Sequence, residues 1–182
     1  MRCVAFLRAI NVGGRTVRME RLRRLFADLG FRNVETLIAS GNVLFAPGRQ
    51  QAATLERRIE AALADALGFE VATFVRTTEE LAALLRARRI AESPQASMLV
   101  GFLKAVPDDE ARARVHALRT AADDLDVLGR ELWWVRRGPT MQSKLGGGAL
   151  ERALGAPMTM RNITTVRKLA RLLAGKETVD GE

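Results

Sequence analysis

The chain states one phrase twice: "VAFLRA" at residues 4–9 returns as "VGFLKA" at residues 100–105, with the same apolar alternation and a basic residue in the same slot. Such an echo implies two related halves. In the first, Val4, Phe6, Arg8 and Ile10 alternate as a strand does, and Leu22, Leu25, Phe26 and Leu29 line one face of a helix over 17–29 that stops at Gly30. Strands follow at 33–39 and 42–46, parted by a turn at Ser40 and Gly41. Leu55, Ile59, Leu63 and Leu67 then mark a helix closed by Gly68, and "EVATFV" is a fourth strand. The order is βαββαβ.

The second half repeats that order less cleanly. A helix at 78–90 links the halves, and a strand at 97–105, a helix at 108–122, a strand near 125–128 and "ELWWVRR" come next. A glycine-rich stretch, a short helix at 149–154 and a strand at 158–163 complete the unit. The last helix, starting near Thr164 or Thr165 and ending at Gly175, sets Val166, Leu169, Ala170 and Leu173 on one face. The expected fold class is α+β, with duplicated ferredoxin-like βαββαβ units and a C-terminal helix. The first subdomain spans 1–76, a linking helix 77–96, and the second subdomain with the last helix 97–182.

Composition narrows the function classes. With 182 residues, 48% of them hydrophobic, the chain can bury a full core. No run approaches the ~18 apolar residues of a membrane span, and Arg2 and Arg8 interrupt the first apolar stretch, so a cytosolic protein is expected. Cys3, the single cysteine, reads as a buried strand thiol in a reducing compartment. One histidine, His116, and one cysteine cannot build a zinc cage or a histidine-based triad, and no metal site is expected. The net charge is +8, yet 25 of the 29 basic residues are arginine, a bias that genome composition alone can produce. Placement carries more: residues 1–50 hold nine basic and three acidic groups, and residues 130–176 hold ten and two. If those segments meet, their fields add over one surface and draw in an anion; a solvated basic face is the plain alternative.

Four segments put Gly, Asn, Ser or Thr beside a cation at a strand end: "RAINVGG", "SGN", "SKLGGG" and "TMRNITT". In the first, Gly13 and Gly14 admit positive φ, so consecutive N–H groups can form an anion-binding concavity before Thr16 caps the helix, with Asn11 orienting it. A tight strand-to-helix connection needs the same residues, and both readings stand. The helices add an oddity. Helix N-termini favour anions, yet the first opens with Arg15, Arg18 and Arg21, and the last with Arg167 and Lys168 just after Arg161. A bound anion would relieve both ends.

"GPTMQSKLGGG" fails as a nucleotide loop, because Ser143 precedes Lys144 and Leu145 follows, leaving no hydroxyl for magnesium. It remains a connector or a lid. Trp133 and Trp134, adjacent on one strand, point to opposite faces and read as core or interface residues; the flanks lack the aromatic spacing of an RNA-binding sheet.

On "VAFLRAINVGG", "MERLRRLFADLGFRNVETLIASGNVLF", "SKL" and "TMRNITTVRKLARLL", the chain resembles the domain of unknown function (DUF) 1697 family. The resemblance implies a duplicated ferredoxin-like fold in a bacterial protein and brings no activity and no cofactor with it. It singles out Arg8, Asn11, Gly13, Gly14, Ser40, Gly41, Asn42, Ser143, Lys144, Thr159, Arg161, Asn162 and Thr165 as ligand-binding candidates. Three positions depart from the family pattern: Ala9 replaces the usual Gly, Ile163 the usual Trp, and the run Gly146–Gly148 an ordinary helix opening.

The leading expectation is a binder of an anionic ligand, whether nucleotide, phosphorylated metabolite or nucleic acid, held between the two halves. Arg8, Lys144 and Arg161 would supply charge, and the polar residues of the set would supply neutral hydrogen bonds. One alternative is a small enzyme acting on a phosphorylated or carboxylated substrate, with Lys144 or Arg161 stabilising negative charge. Another is a basic docking patch for an acidic protein. No membrane partner is expected, and the sequence sets no oligomeric state, cofactor or catalytic residue.

Overall fold

The echoed phrase forms the same strand in both halves. The computed structural model describes residues 1–14, 16–37, 41–87, 96–137, 143 and 145–175. In chain order the elements are β1 (Cys3–Leu7), α1 (Met19–Asp28), β2 (Arg32–Leu37), β3 (Asn42–Ala46), α2 (Ala52–Leu67), β4 (Thr73–Thr77) and α3 (Thr78–Arg86). Then come β5 (Ala96–Phe102), α4 (Asp109–His116), β6 (Asp123–Leu128), β7 (Glu131–Arg137), α5 (Gly147–Leu154), β8 (Thr159–Asn162) and α6 (Ile163–Ala174). Two four-stranded antiparallel sheets result, ordered β2-β3-β1-β4 and β6-β7-β5-β8. Each βαββαβ run has the ferredoxin-like order, and each is followed by one more helix.

The chain divides into two units: Met1–Ala83 with the chain from Lys168 on, and Leu84–Arg167. In unit 1, α1 and α2 cover one sheet face and enclose Cys3, Ala5, Leu7, Val43, Phe45 and Val75 together with Leu22, Phe26, Ile59 and Leu63. Phe26, Phe31 and Phe45 form a ring cluster with centroids 4.7 to 6.0 Å apart. The opposite face, with Val4, Phe6, Leu44 and Phe74, is buried as well, so β1 is apolar on both faces rather than alternating as expected, and Arg8 and Ile10 fall beyond its end. In unit 2 the helix-facing core holds Leu103, Val115, Leu125, Leu132, Trp134, Leu150, Leu154 and Met158. Trp133 is buried on the other face, as adjacent strand residues require.

Several boundaries differ from those expected. The fourth strand runs Thr73–Thr77 rather than 70–75, and α4 stops at His116 rather than 122. After α4 the chain turns to reach β6, with the Thr120 hydroxyl bonded to Asp123 at the strand's start. α6 starts at Ile163, directly off β8. Thr16 does not cap α1; the residue at the N-cap is Arg18, extended and without a side-chain bond.

Edge strand β4 is sealed in a way periodicity cannot announce. Its outward N–H groups at Thr73, Val75 and Thr77 donate to the carboxylates of Glu60, Glu56 and Glu80 at 2.8, 2.9 and 2.8 Å. Edge groups satisfied by side chains offer no template to another strand.

Candidate functional site

The connection between β1 and α1 is built as a braced loop. Where β1 ends, Leu7 N–H donates to the Gly41 carbonyl at 2.7 Å and Arg8 N–H to the Ala72 carbonyl at 2.9 Å. The chain then turns through three left-handed residues, Ala9 (φ 52°), Gly13 (φ 67°) and Gly14 (φ 82°). Asn11 closes the loop by accepting the Val17 N–H on Oδ1 at 2.7 Å. Ile10 and Val17 are buried, whereas Arg8, Val12, Gly13, Gly14, Thr16 and Arg18 are exposed. Gly41 lies directly beneath the loop, where a Cβ would come within 2.9 Å of Ile10 Cγ2 and 3.0 Å of the Leu7 carbonyl. Asn42 is fully buried and donates to the Leu37 carbonyl at 3.3 Å. Of the unit-1 candidates, Arg8, Gly13 and Gly14 form the loop's outer surface, Asn11 and Gly41 brace it, and Asn42 bonds Leu37 between β2 and β3. Ser40 lies outside the described residues, as does Arg15.

Arg21, at the start of α1, has a protein-internal explanation. Arg21 donates to the Ala66 carbonyl at the C-terminal end of α2, and Arg58 of α2 donates to the Leu29 carbonyl at the end of α1, at 3.0 Å. Each antiparallel helix thus sends a cation to the negative end of its neighbour's dipole. Arg23 bonds the Thr36 hydroxyl and Arg24 pairs with Glu20. Unit 2 repeats the device: Arg114 of α4 donates to the Ala153 carbonyl at the end of α5, at 2.8 Å. Both acceptors sit in an Ala-Leu-Gly closure, 66–68 and 153–155, whose glycine is the left-handed C-cap.

In unit 2, Thr159 and Arg161 share one face of β8, and Arg161 Nη1 donates to Thr159 Oγ1 at 2.9 Å and to the Met160 carbonyl at 2.8 Å. Burial pulls the Arg161 guanidinium down to about 10, still a cation at neutral pH. Asn162 is exposed, and Thr165 is half-buried in the first turn of α6. Sequence reasoning missed a counterpart, Arg76. It faces Val4 across the β1–β4 ladder as Arg161 faces Val100 across β5–β8, and its Nη1 bonds the preceding carbonyl, Val75, at 2.9 Å. The signal was the register: both arginines sit opposite the valine of the echoed phrase.

Ser143 belongs to a different cluster. Its hydroxyl donates to Asp123 Oδ1 at 2.7 Å, where Trp134 Nε1 also donates at 2.8 Å, while Thr120 Oγ1 reaches Oδ2 at 3.1 Å. Asp123 is buried, and these three donors compensate its carboxylate. A cleft of about 570 Å³ lies beside it, lined by 117–123 and Leu145. Asp123 is on β6 and Asn162 on β8, opposite edges of the sheet and roughly 14 Å apart at ~4.8 Å per strand. Ser143 and Asn162 are therefore not brought together within unit 2. Lys144 lies outside the described residues.

Burial, reinforced by the charges of Glu80 and Glu79, pushes the Cys3 thiol up to about 12. Among the described residues no three His, Cys, Asp or Glu side chains gather as a metal site, and no helix is long and apolar enough to cross a membrane.

A family model described as "Protein of unknown function (DUF1697)" matches residues 1–133. The chain belongs to the DUF1697 family. The matched stretch contains the whole braced loop and runs into β7; Ser143, Lys144, Thr159, Arg161, Asn162 and Thr165 follow it. A solved structure described as conserved bacterial protein SP0830 from Streptococcus pneumoniae is similar at 26% identity and a TM-score of 0.73, covering 95% of this chain and 98% of that one. The curated proteins contain no match.

Proposed function

We propose that this DUF1697 protein binds an anionic, phosphate-bearing ligand at the loop 8–18 of unit 1. The observation that carries the reading is the loop itself: two consecutive left-handed glycines stand exposed and lead into a helix whose first turn has no side-chain cap. N–H groups in a left-handed turn and at a helix N-terminus both aim partial positive charge outward. Arg8 and Arg18, exposed at either end of the loop, add charge, and the Asn11–Val17 bond keeps the shape without a ligand present. Asn11 acts in this reading as a brace, not a direct contact.

The test is a thermal-shift screen of pyrophosphate, nucleotides, phosphorylated metabolites and short nucleic acids at two salt concentrations. A ligand of the folded form at 100 times its Kd raises stability by about 2.7 kcal/mol. A small ligand gives a shallow salt dependence and a nucleic acid a steep one. Arg8→Ala and Arg18→Ala should each weaken the effect several-fold, and a shift that survives both substitutions overturns the site.

A further inference from the structure

We infer that the outer edge of β8 in unit 2 is a binding site for a small dicarboxylate, received by the N–H groups of Met160 and Asn162. Met158 fixes which groups face outward. Its N–H leaves the ladder to meet the Glu151 carboxylate at 2.8 Å, and strand alternation points the N–H groups of Met160 and Asn162 the same way. Met160 is half-buried and Asn162 exposed. Among the described residues no acceptor meets either N–H.

The duplication supplies an internal control for what belongs there. Arg76 and Arg161 occupy the same register, so Thr73, Val75 and Thr77 of β4 match Met158, Met160 and Asn162 of β8. In unit 1 all these N–H groups meet carboxylates: Glu60 on Thr73, Glu56 on Val75 and Glu80 on Thr77. Val75 even holds opposite charges side by side, because its carbonyl also accepts Arg76 Nη1 at 2.9 Å. Unit 2 keeps the first carboxylate, as Glu151, and the arginine, as Arg161 Nη1 on the Met160 carbonyl at 2.8 Å. It lacks the other two. Counted back from the left-handed caps Gly68 and Gly155, Glu56 corresponds to Ser143, which lies outside the shorter α5 and bonds Asp123 on the opposite edge strand. Glu80 forms a capping box with Thr77, its own N–H donating to Thr77 Oγ1 at 3.1 Å; the residue in that place after Asn162 is Thr165. The Glu151 carboxylate stays charged beside the Met160 position, as Glu60 does beside Glu56, so neighbouring carboxylates along this edge are an arrangement the fold already holds. Neither α5 nor α6 has an acidic residue in its first turn, and Gly147 lies against the Met160 side chain, where a Cβ would come within 3.0 Å of its Cε. The positive end of α5 thus adds an attractive field. The two N–H groups stand roughly 6.8 Å apart at ~3.4 Å per residue, a span that a dicarboxylate of about five carbons covers at ~1.5 Å per bond.

Glutarate is the probe, with acetate as its comparison at matched ionic strength, read on the backbone amide resonances of Met160 and Asn162. Glutarate at about 20 mM should move both amide protons downfield, the direction of a charge-assisted hydrogen bond, and should bind roughly fivefold or more tighter than acetate because its second carboxylate engages intramolecularly. Thr165→Glu, which restores the capping carboxylate of unit 1, should move the Asn162 amide downfield without ligand, raise the melting temperature and weaken glutarate several-fold. Should that variant fold poorly, Thr165→Gln engages the same N–H without a charge. Amides unmoved by glutarate, or binding undiminished by both Thr165 substitutions, overturns the site. Acetate binding as tight as glutarate overturns the dicarboxylate. Arg8→Ala and Arg18→Ala should leave these shifts unchanged, which separates this site from the loop of unit 1; loss of the shifts in those variants overturns it as well.

Discussion

Ala9 is the residue at which sequence and geometry most plainly disagree. Its φ of 52° lies in the left-handed region, where an L side chain costs about 1 kcal/mol or more. Glycine at this position would carry no such penalty. Ala9→Gly should therefore stabilise the protein by about 0.5–1 kcal/mol, seen as a higher urea midpoint with an unchanged slope. A lower midpoint would mean that the extra chain entropy of glycine outweighs the relief. Asn11 was legible as a loop residue from its place in "RAINVGG", but its partner was not. The bond to Val17 depends on where the loop returns, and residue type alone does not carry that information.

Elements were easier to read than the contacts between them. Short apolar runs located the central strands, and apolar spacing the buried faces of α1 and α2, because burial on one side of a helix writes itself into the period. One cation at a helix start was misread for the converse reason. Arg21 opposes its own helix dipole but serves the end of α2, and nothing in a one-helix window shows the neighbour. The edge-sealing glutamates were illegible on the same ground, since Glu56 and Glu60 look like ordinary solvent-facing positions until β4 is placed beside them. The repeated clamp yields a prediction. Arg114→Ala removes a charged donor from the Ala153 carbonyl and should cost about 0.5–1.5 kcal/mol in urea unfolding, with Arg21→Ala similar. Arg24→Ala, which breaks only an exposed pair with Glu20, should cost less than about 0.5 kcal/mol. Equal losses in all three would show that the helix-end placement adds nothing.

At the scale of the whole chain, the duplication explains both what was read correctly and what is distinctive. Features the halves share, such as the echoed central strand, the Ala-Leu-Gly closure and the arginine opposite the echoed valine, belong to the scaffold. A feature confined to one half, the long glycine loop of unit 1, is where the halves have diverged and where an anionic ligand is proposed. Continuity between the units is testable through α6, whose first residues group with unit 2 and whose remainder groups with unit 1. Leu173, fully buried, lies in the unit-1 portion, and Leu173→Ala should cost about 2–5 kcal/mol. Both tryptophans, Trp133 and Trp134, lie in unit 2, so intrinsic fluorescence reports that unit while far-ultraviolet circular dichroism reports both. Because one unbroken helix runs through the boundary, the Leu173→Ala variant should lower the fluorescence and circular-dichroism midpoints together. A fluorescence transition that stays at its wild-type midpoint while the circular-dichroism curve splits would show that α6 does not couple the units and that each half unfolds alone.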